Sequence, residues 1–319
     1  MPELASHVVQ LTLEDVRYRG SPPDIFRKLT NVKHFYLASA LGGPVNLWAS
    51  TVISMNRSSM EQITLQDCFL PAKDFLFWSP RVFPKLKALH VLNFIQPNVI
   101  MLSLGAPSTQ PHRSLSALKL RLDCGSRQCT TIAAFRQLFQ DVGPNLCDLD
   151  IGFGRVEGPF VGQDVWQRRG MPFDHCINLR RLTLEHSVME PNKKGCLGHL
   201  DHAPMLLATL RAPELRYIKL VVRQSYKVKE NGAQTWGRIA HVLSGARFAS
   251  VHGVRVCLAD GQGNRKVVSW VKQQLRALNG RRPVDVVLVD NPRVDGPRTG
   301  TAQGPRASRQ IQERPTRLG

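Results

Sequence analysis

Nine times along this chain, at intervals of 24 to 36 residues, an apolar residue is followed, three and five positions later, by two more. In "CINLRRLTLEHSV" (176–188) the three are Leu179, Leu182 and Leu184. Earlier copies are Val8/Leu11/Leu13, Val32/Phe35/Leu37, Met60/Ile63/Leu65, Leu86/Leu89/Val91, Leu115/Leu118/Leu120 and Leu146/Leu149/Ile151. Leu215/Ile218/Leu220 and Val251/Val254/Val256 follow, and "VDVVLVD" offers a tenth copy, Val286/Leu288, with Pro283 at the first position. The closing residues recur every 24 to 36 positions. Alternation over each short segment places the paired anchors on one face of a strand and the residue between them on the other. No single unit of this kind buries its own apolar face, so neighbouring units must stack.

An L-x-x-L-x-L core repeated at roughly 20 to 29 residues is the mark of a leucine-rich repeat, and the longer spacing here makes this an irregular one. Segments between the strands carry helical patterns: 22–29, 131–142, 204–210, 233–243 and 264–278. In the last of these Val267, Val271, Leu275 and Leu278 share one face, Asn264 is placed to cap the start, and Asn279-Gly280 ends it. The expected fold is therefore α/β: a solenoid of about ten strand-loop-helix units over residues 1–290, with a parallel concave sheet. Residues 154–163 and 225–233 read as loop insertions. Residues 291–319 are almost devoid of apolar side chains and are expected to form a disordered tail.

The repeats resemble those of fungal F-box/leucine-rich-repeat-like proteins. The likeness is carried by "PELASHVVQLTLEDV", "LTNVKHFYLASA", "FPKLKALHVLNF", "GPNLCDLDIGF", "CINLRRLTLEHSV" and "APELRYIKLVV" and covers about residues 2 to 290. In that family an F-box binds the adaptor of a cullin-type ubiquitin ligase and the repeats capture the substrate. Membership would thus imply a substrate-recognition module. "PPDIFRKL" looks like an F-box opening, but the strand pattern from Val32 leaves no room for the remaining helices, so no F-box is expected within this sequence and a cullin-ligase adaptor would be a partner only with an F-box upstream.

Charge bears on partners. The formal net charge is +19, and residues 291–319 contribute six arginines against Asp295 and Glu313. That excess favours anionic partners. The residues between the paired anchors, and their neighbours on the same strand face, are expected to line the concave surface. The candidates are Tyr36, His90, Lys119, Arg121, Asp148, Asp150, Arg181, Thr183, Glu185, Tyr217, Lys219 and Arg255. Mixed charge with a few aromatics suits a protein ligand bearing an acidic patch better than a phosphate backbone. A nucleic-acid-associated protein using its basic tail is one alternative reading. A decayed or truncated product lacking its adaptor-binding module is another.

Motifs for chemistry fall short. Cys196, His199 and His202 are three residues of metal-ligating type without a fourth. "DGQGNRKVV" (260–268) has Lys266 where a dinucleotide loop needs its third glycine. Asp148 and Asp150 share a strand face with no accompanying nucleophile, and Cys124 and Cys129 would pair only in an oxidising compartment. The expectation is a non-enzymatic, cofactor-free and metal-free scaffold, monomeric and cytoplasmic or nuclear, with no membrane association. The N-terminus lacks signal-peptide character and no apolar run reaches membrane-spanning length.

Overall fold

The computed structural model describes residues 2–14, 24–38, 44–66, 68, 83–94, 114–122, 138–153, 172–187, 202–223, 228–259, 265–279 and 283–289. Ten strands run through them: β1 (Gln10–Glu14), β2 (His34–Ala38), β3 (Gln62–Gln66), β4 (Ala88–Phe94) and β5 (Ala117–Leu122). They continue as β6 (Asp148–Phe153), β7 (Arg181–Ser187), β8 (Tyr217–Arg223), β9 (Gly253–Ala259) and β10 (Val284–Val289). All pair in parallel, in chain order, in one open sheet. This is the repeat-like α/β architecture that the spacing of the apolar triplets predicts.

The register explains the repetition. Leu11, Phe35, Ile63, Leu89, Leu118, Leu149, Leu182, Ile218 and Val254 lie side by side across the sheet, as do the closing anchors two residues on. Nearly all are buried, and with the lead-in residues from Val32 to Val251 they form one core that runs from Ala5 to Val286. Each buried aliphatic side chain contributes about 1.5–3 kcal/mol by leaving water, so a row of equivalent apolar anchors stabilises every interface between units.

A backbone device that side-chain patterns do not reveal sets where each strand begins. The carbonyl of Lys33 accepts from the N–H groups of both Glu61 and Gln62; that of Glu61 accepts from Lys87 and Ala88. The same fork recurs at Lys87, Ser116, Cys147 and Arg180. Pro283 occupies the position that would supply one of these donors to His252, and it has no N–H to give.

Helices lie on the anchor side of the sheet. They are α1 (Pro2–Ala5), α2 (Asp24–Lys28), α3 (Pro44–Met55), α4 (His202–Thr209), α5 (Val228–Leu243), α6 (Arg265–Gln274) and α7 (Arg276–Asn279). Residues 138–142 are also helical, and Phe139 there meets Phe173 of the next unit edge-on, with ring centroids 5.0 Å apart. Helix α4 packs on α5, α5 on α6, and α6 on β10. Val267, Val271, Leu275 and Leu278 are buried as one face, as their spacing requires.

The structure corrects two readings. Residues 228–233 belong to α5 rather than to a loop; Lys229, Glu230 and Ala233 favour helix, and Gly232 costs only about 1 kcal/mol. The tenth unit is anchored by Val284 and Val286, which pair with Val254 and Val256, not by Val286 and Leu288. "VDVVLV" is apolar at five of its six positions, so alternation alone leaves two phases open; pairing with β9 selects one. Asp285, not Val287, consequently faces away from the core beside Arg255.

Candidate functional site

The sheet face opposite the core carries three parallel rows. The middle row reads Thr12, Tyr36, Thr64, His90, Lys119, Asp150, Thr183, Lys219, Arg255 and Asp285 from β1 to β10. One row precedes it and includes Gln10, His34, Gln62, Asp148, Arg181 and Tyr217; the other follows it and includes Gln66, Arg121, Gly152, Glu185 and Cys257. All twelve sequence-derived candidates therefore stand on one face, but in three different electrostatic settings.

Over β1–β5 the face holds a cavity of about 300 Å³, walled by His34, Tyr36, Gln62, Thr64, His90 and Lys119, with Gln10 at one end. Tyr36 is largely buried and donates its hydroxyl to Gln66 Oε1 at 2.8 Å. Thr64 Oγ1 lies 3.3 Å from His90 Nδ1. Burial, helped by the neighbouring Lys119 charge, holds the His90 imidazolium down to a pKa of about 4, so the ring is neutral at physiological pH.

Across β5–β7 the charges cancel. Arg121 grips Asp150 with two parallel bonds of 2.6 and 3.0 Å and also places Nε 2.7 Å from Glu185 Oε2. Lys119 reaches the same Asp150 at only 3.7 Å. Arg181 pairs with Asp148 at 3.1 Å. Burial nonetheless raises the Asp148 carboxyl above the usual range, with the Arg181 charge opposing it. Glu185 is only 6% exposed, so its carboxylate is committed to the interior of this network and is not a free surface group.

Toward β10 the face opens. Tyr217 is 57% exposed, and its neighbour in the row is Gly253, which places no side chain beside the ring. His252 stands against it at a centroid distance of 6.4 Å. Two residues on, Lys219 is exposed and has no ion-pair partner among the described residues. Arg255 beyond it is paired with Asp285 at 3.0 Å.

Five contributors escaped the reading of the sequence. Gln10, His34 and Gln62 occupy the same strand position as Arg181 and Tyr217, and applying that position to every unit would have found them. Gly152 and Asp285 become visible only through cross-strand register. Among the described residues no cluster of three or more metal-ligating side chains occurs, and no helix is long and apolar enough to cross a membrane. Cys68, Cys147, Cys176 and Cys257 are free thiols. Cys124, Cys129, Cys196, His199, the Gly261–Gly263 turn, residues 154–163 and the 291–319 tail lie outside the described residues.

No protein family model matches the chain, and no curated protein matches it in sequence.

Proposed function

We propose that this protein is a non-catalytic interaction scaffold of the leucine-rich-repeat type, which captures an acidic segment of a partner protein on the open face of its sheet. The observation that carries this reading is the β8–β9 end of that face. An exposed tyrosine and an exposed lysine stand two residues apart there, beside a glycine that leaves room for a partner's side chain. Tyrosine and cationic side chains in a desolvated centre are where binding energy concentrates in protein interfaces. Stacked units that curve with the strands inside would make this face concave, the binding surface of such solenoids.

A duplex-tracking or single-strand groove fits less well. Arg121, Arg181 and Arg255 each spend their charge on a neighbouring carboxylate, whereas phosphate binding grows with the number of cations free to neutralise phosphates. The likeness of the repeats to F-box-associated ones further suggests a substrate-recognition module in the cytoplasm or nucleus.

The test is affinity capture with the full chain, followed by mass spectrometry, in parallel with Tyr217→Ala and Lys219→Glu. Both positions are exposed, so neither substitution disturbs the core. Charge reversal at Lys119 or Arg255 is less clean, because it sets a new carboxylate against Asp150 or Asp285. A specific partner retained by the native chain and lost from both variants is expected; a partner held equally by all three would refute the reading. Co-purification of a cullin adaptor would place the protein in a ligase.

A further inference from the structure

The cavity over β1–β5 differs from the rest of the face in its charge. Among the described residues lining it there is one cation, Lys119, and no carboxylate. The Lys119 ammonium is partly buried yet weakly engaged. Its contact with Asp150 is 3.7 Å, while Arg121 already holds both oxygens of that carboxylate at 2.6 and 3.0 Å. A loosely compensated charge in a partly desolvated wall favours an incoming anion more strongly than an exposed one does.

The neighbouring groups can serve such an anion without competing for Lys119. Tyr36 directs its proton to Gln66 and His90 is a neutral ring, so neither adds or removes a charge. In the tautomer whose Nδ1 accepts from the Thr64 hydroxyl, 3.3 Å away, the ring proton sits on the opposite nitrogen, which is then a donor. The Gln10 and Gln62 carboxamides each offer a donor and an acceptor, the pair of functions that a peptide backbone presents.

We propose that the cavity bounded by Thr64, His90 and Lys119 is a carboxylate-binding subsite, which anchors one acidic group of the polypeptide captured by the face. This rests on the scaffold reading for its biological partner but not for its test. The carboxylate has two sources in a polypeptide, an Asp or Glu side chain or the chain's C-terminus, and both use the same chemistry here.

The experiment is calorimetric and NMR titration of the full chain with three small probes. N-acetylalanine presents only a C-terminal carboxylate, N-acetylaspartic acid α-amide only a side-chain carboxylate, and N-acetylalanine amide neither. At least one carboxylate should bind saturably and perturb the His90 ring signals, with the neutral amide silent. Lys119→Gln should weaken that binding by at least about tenfold, the scale of one charge-assisted hydrogen bond. Thr64→Val, close to isosteric at a buried position, should weaken it several-fold and guards against a folding defect in the lysine variant. Whichever carboxylate binds more tightly identifies the source. Absence of binding by both, equal binding of the amide, or full affinity in Lys119→Gln would overturn the proposal. Because no protein partner is used, failure here leaves capture at Tyr217 and Lys219 standing, and failure there leaves this subsite standing.

Discussion

Arg121 on β5 reaches past a whole strand to place its Nε 2.7 Å from Glu185 Oε2 on β7. The strand between is β6, and the residue it presents at that point is Gly152. A Cβ built there would stand 2.5 Å from Arg121 Cδ, 2.9 Å from Nε and 3.1 Å from the Glu185 Cβ. The glycine is thus required by close approach, since only a bare backbone lets the guanidinium cross.

Gly152→Ala should therefore force Arg121 aside and break its contact with the buried Glu185, costing about 2–3 kcal/mol. Urea denaturation checks this. A double-mutant cycle with Glu185→Gln should show strong coupling, because both changes remove the same ion pair. Additive effects would mean that the alanine acts elsewhere.

Asn56 is fully buried and ties the end of α3 to the Leu29–Val32 stretch ahead of β2. Its Oδ1 accepts from the Val32 N–H at 2.7 Å, and its Nδ2 donates to the carbonyls of Leu29 at 2.6 Å and Val52 at 2.8 Å. Asn56→Ala strands backbone groups in the interior, so a loss of about 3 kcal/mol is expected. Asn56→Asp should also destabilise, because the carboxylate faces the Leu29 and Val52 carbonyls with no proton to give. Thermal melts of both variants provide the measurement.

His90 links the cavity to pH. Its folded-state pKa of about 4 lies below the ordinary value of 6.5, so between those values the unfolded chain binds more protons. Stability contributed by the neutral ring is complete above about pH 6.5 and falls as pH drops toward 4, by up to about 3 kcal/mol. The charges facing the ring are Lys119 and Arg121, which oppose its protonation, and Asp150, which favours it. His90→Gln should flatten the acid limb of a stability–pH curve relative to the native chain; an unchanged slope would show that other groups dominate it.

The repeat predicts equivalence among anchors. Leu120→Ala and Leu184→Ala remove the same buried side chain from the same position in different units, and each should cost about 2–5 kcal/mol. Tyr217→Ala, at an exposed position, should change stability by less than about 0.5 kcal/mol. Equilibrium unfolding of the three variants side by side separates core from surface.

How much of this was written in the sequence depends on range. The nine triplets determined the strands, their parallel order and the side of each that is buried, because two-residue alternation and stacking of incomplete units are local and repetitive rules. They also brought Tyr36, His90, Lys119, Asp150, Lys219 and Arg255 onto one row. What they left open was decided across strands. The phase of "VDVVLV" needed β9 as a template. Above all, sequence distance hid which charges meet. Arg121 and Arg181 look alike along the chain, yet one is locked between Asp150 and Glu185 while the other sits at the surface on Asp148. Lys219 is set apart as an exposed cation only because its neighbours in register are Thr183 and Arg255. Alternation says which way a side chain points; only the tertiary register says what it finds there.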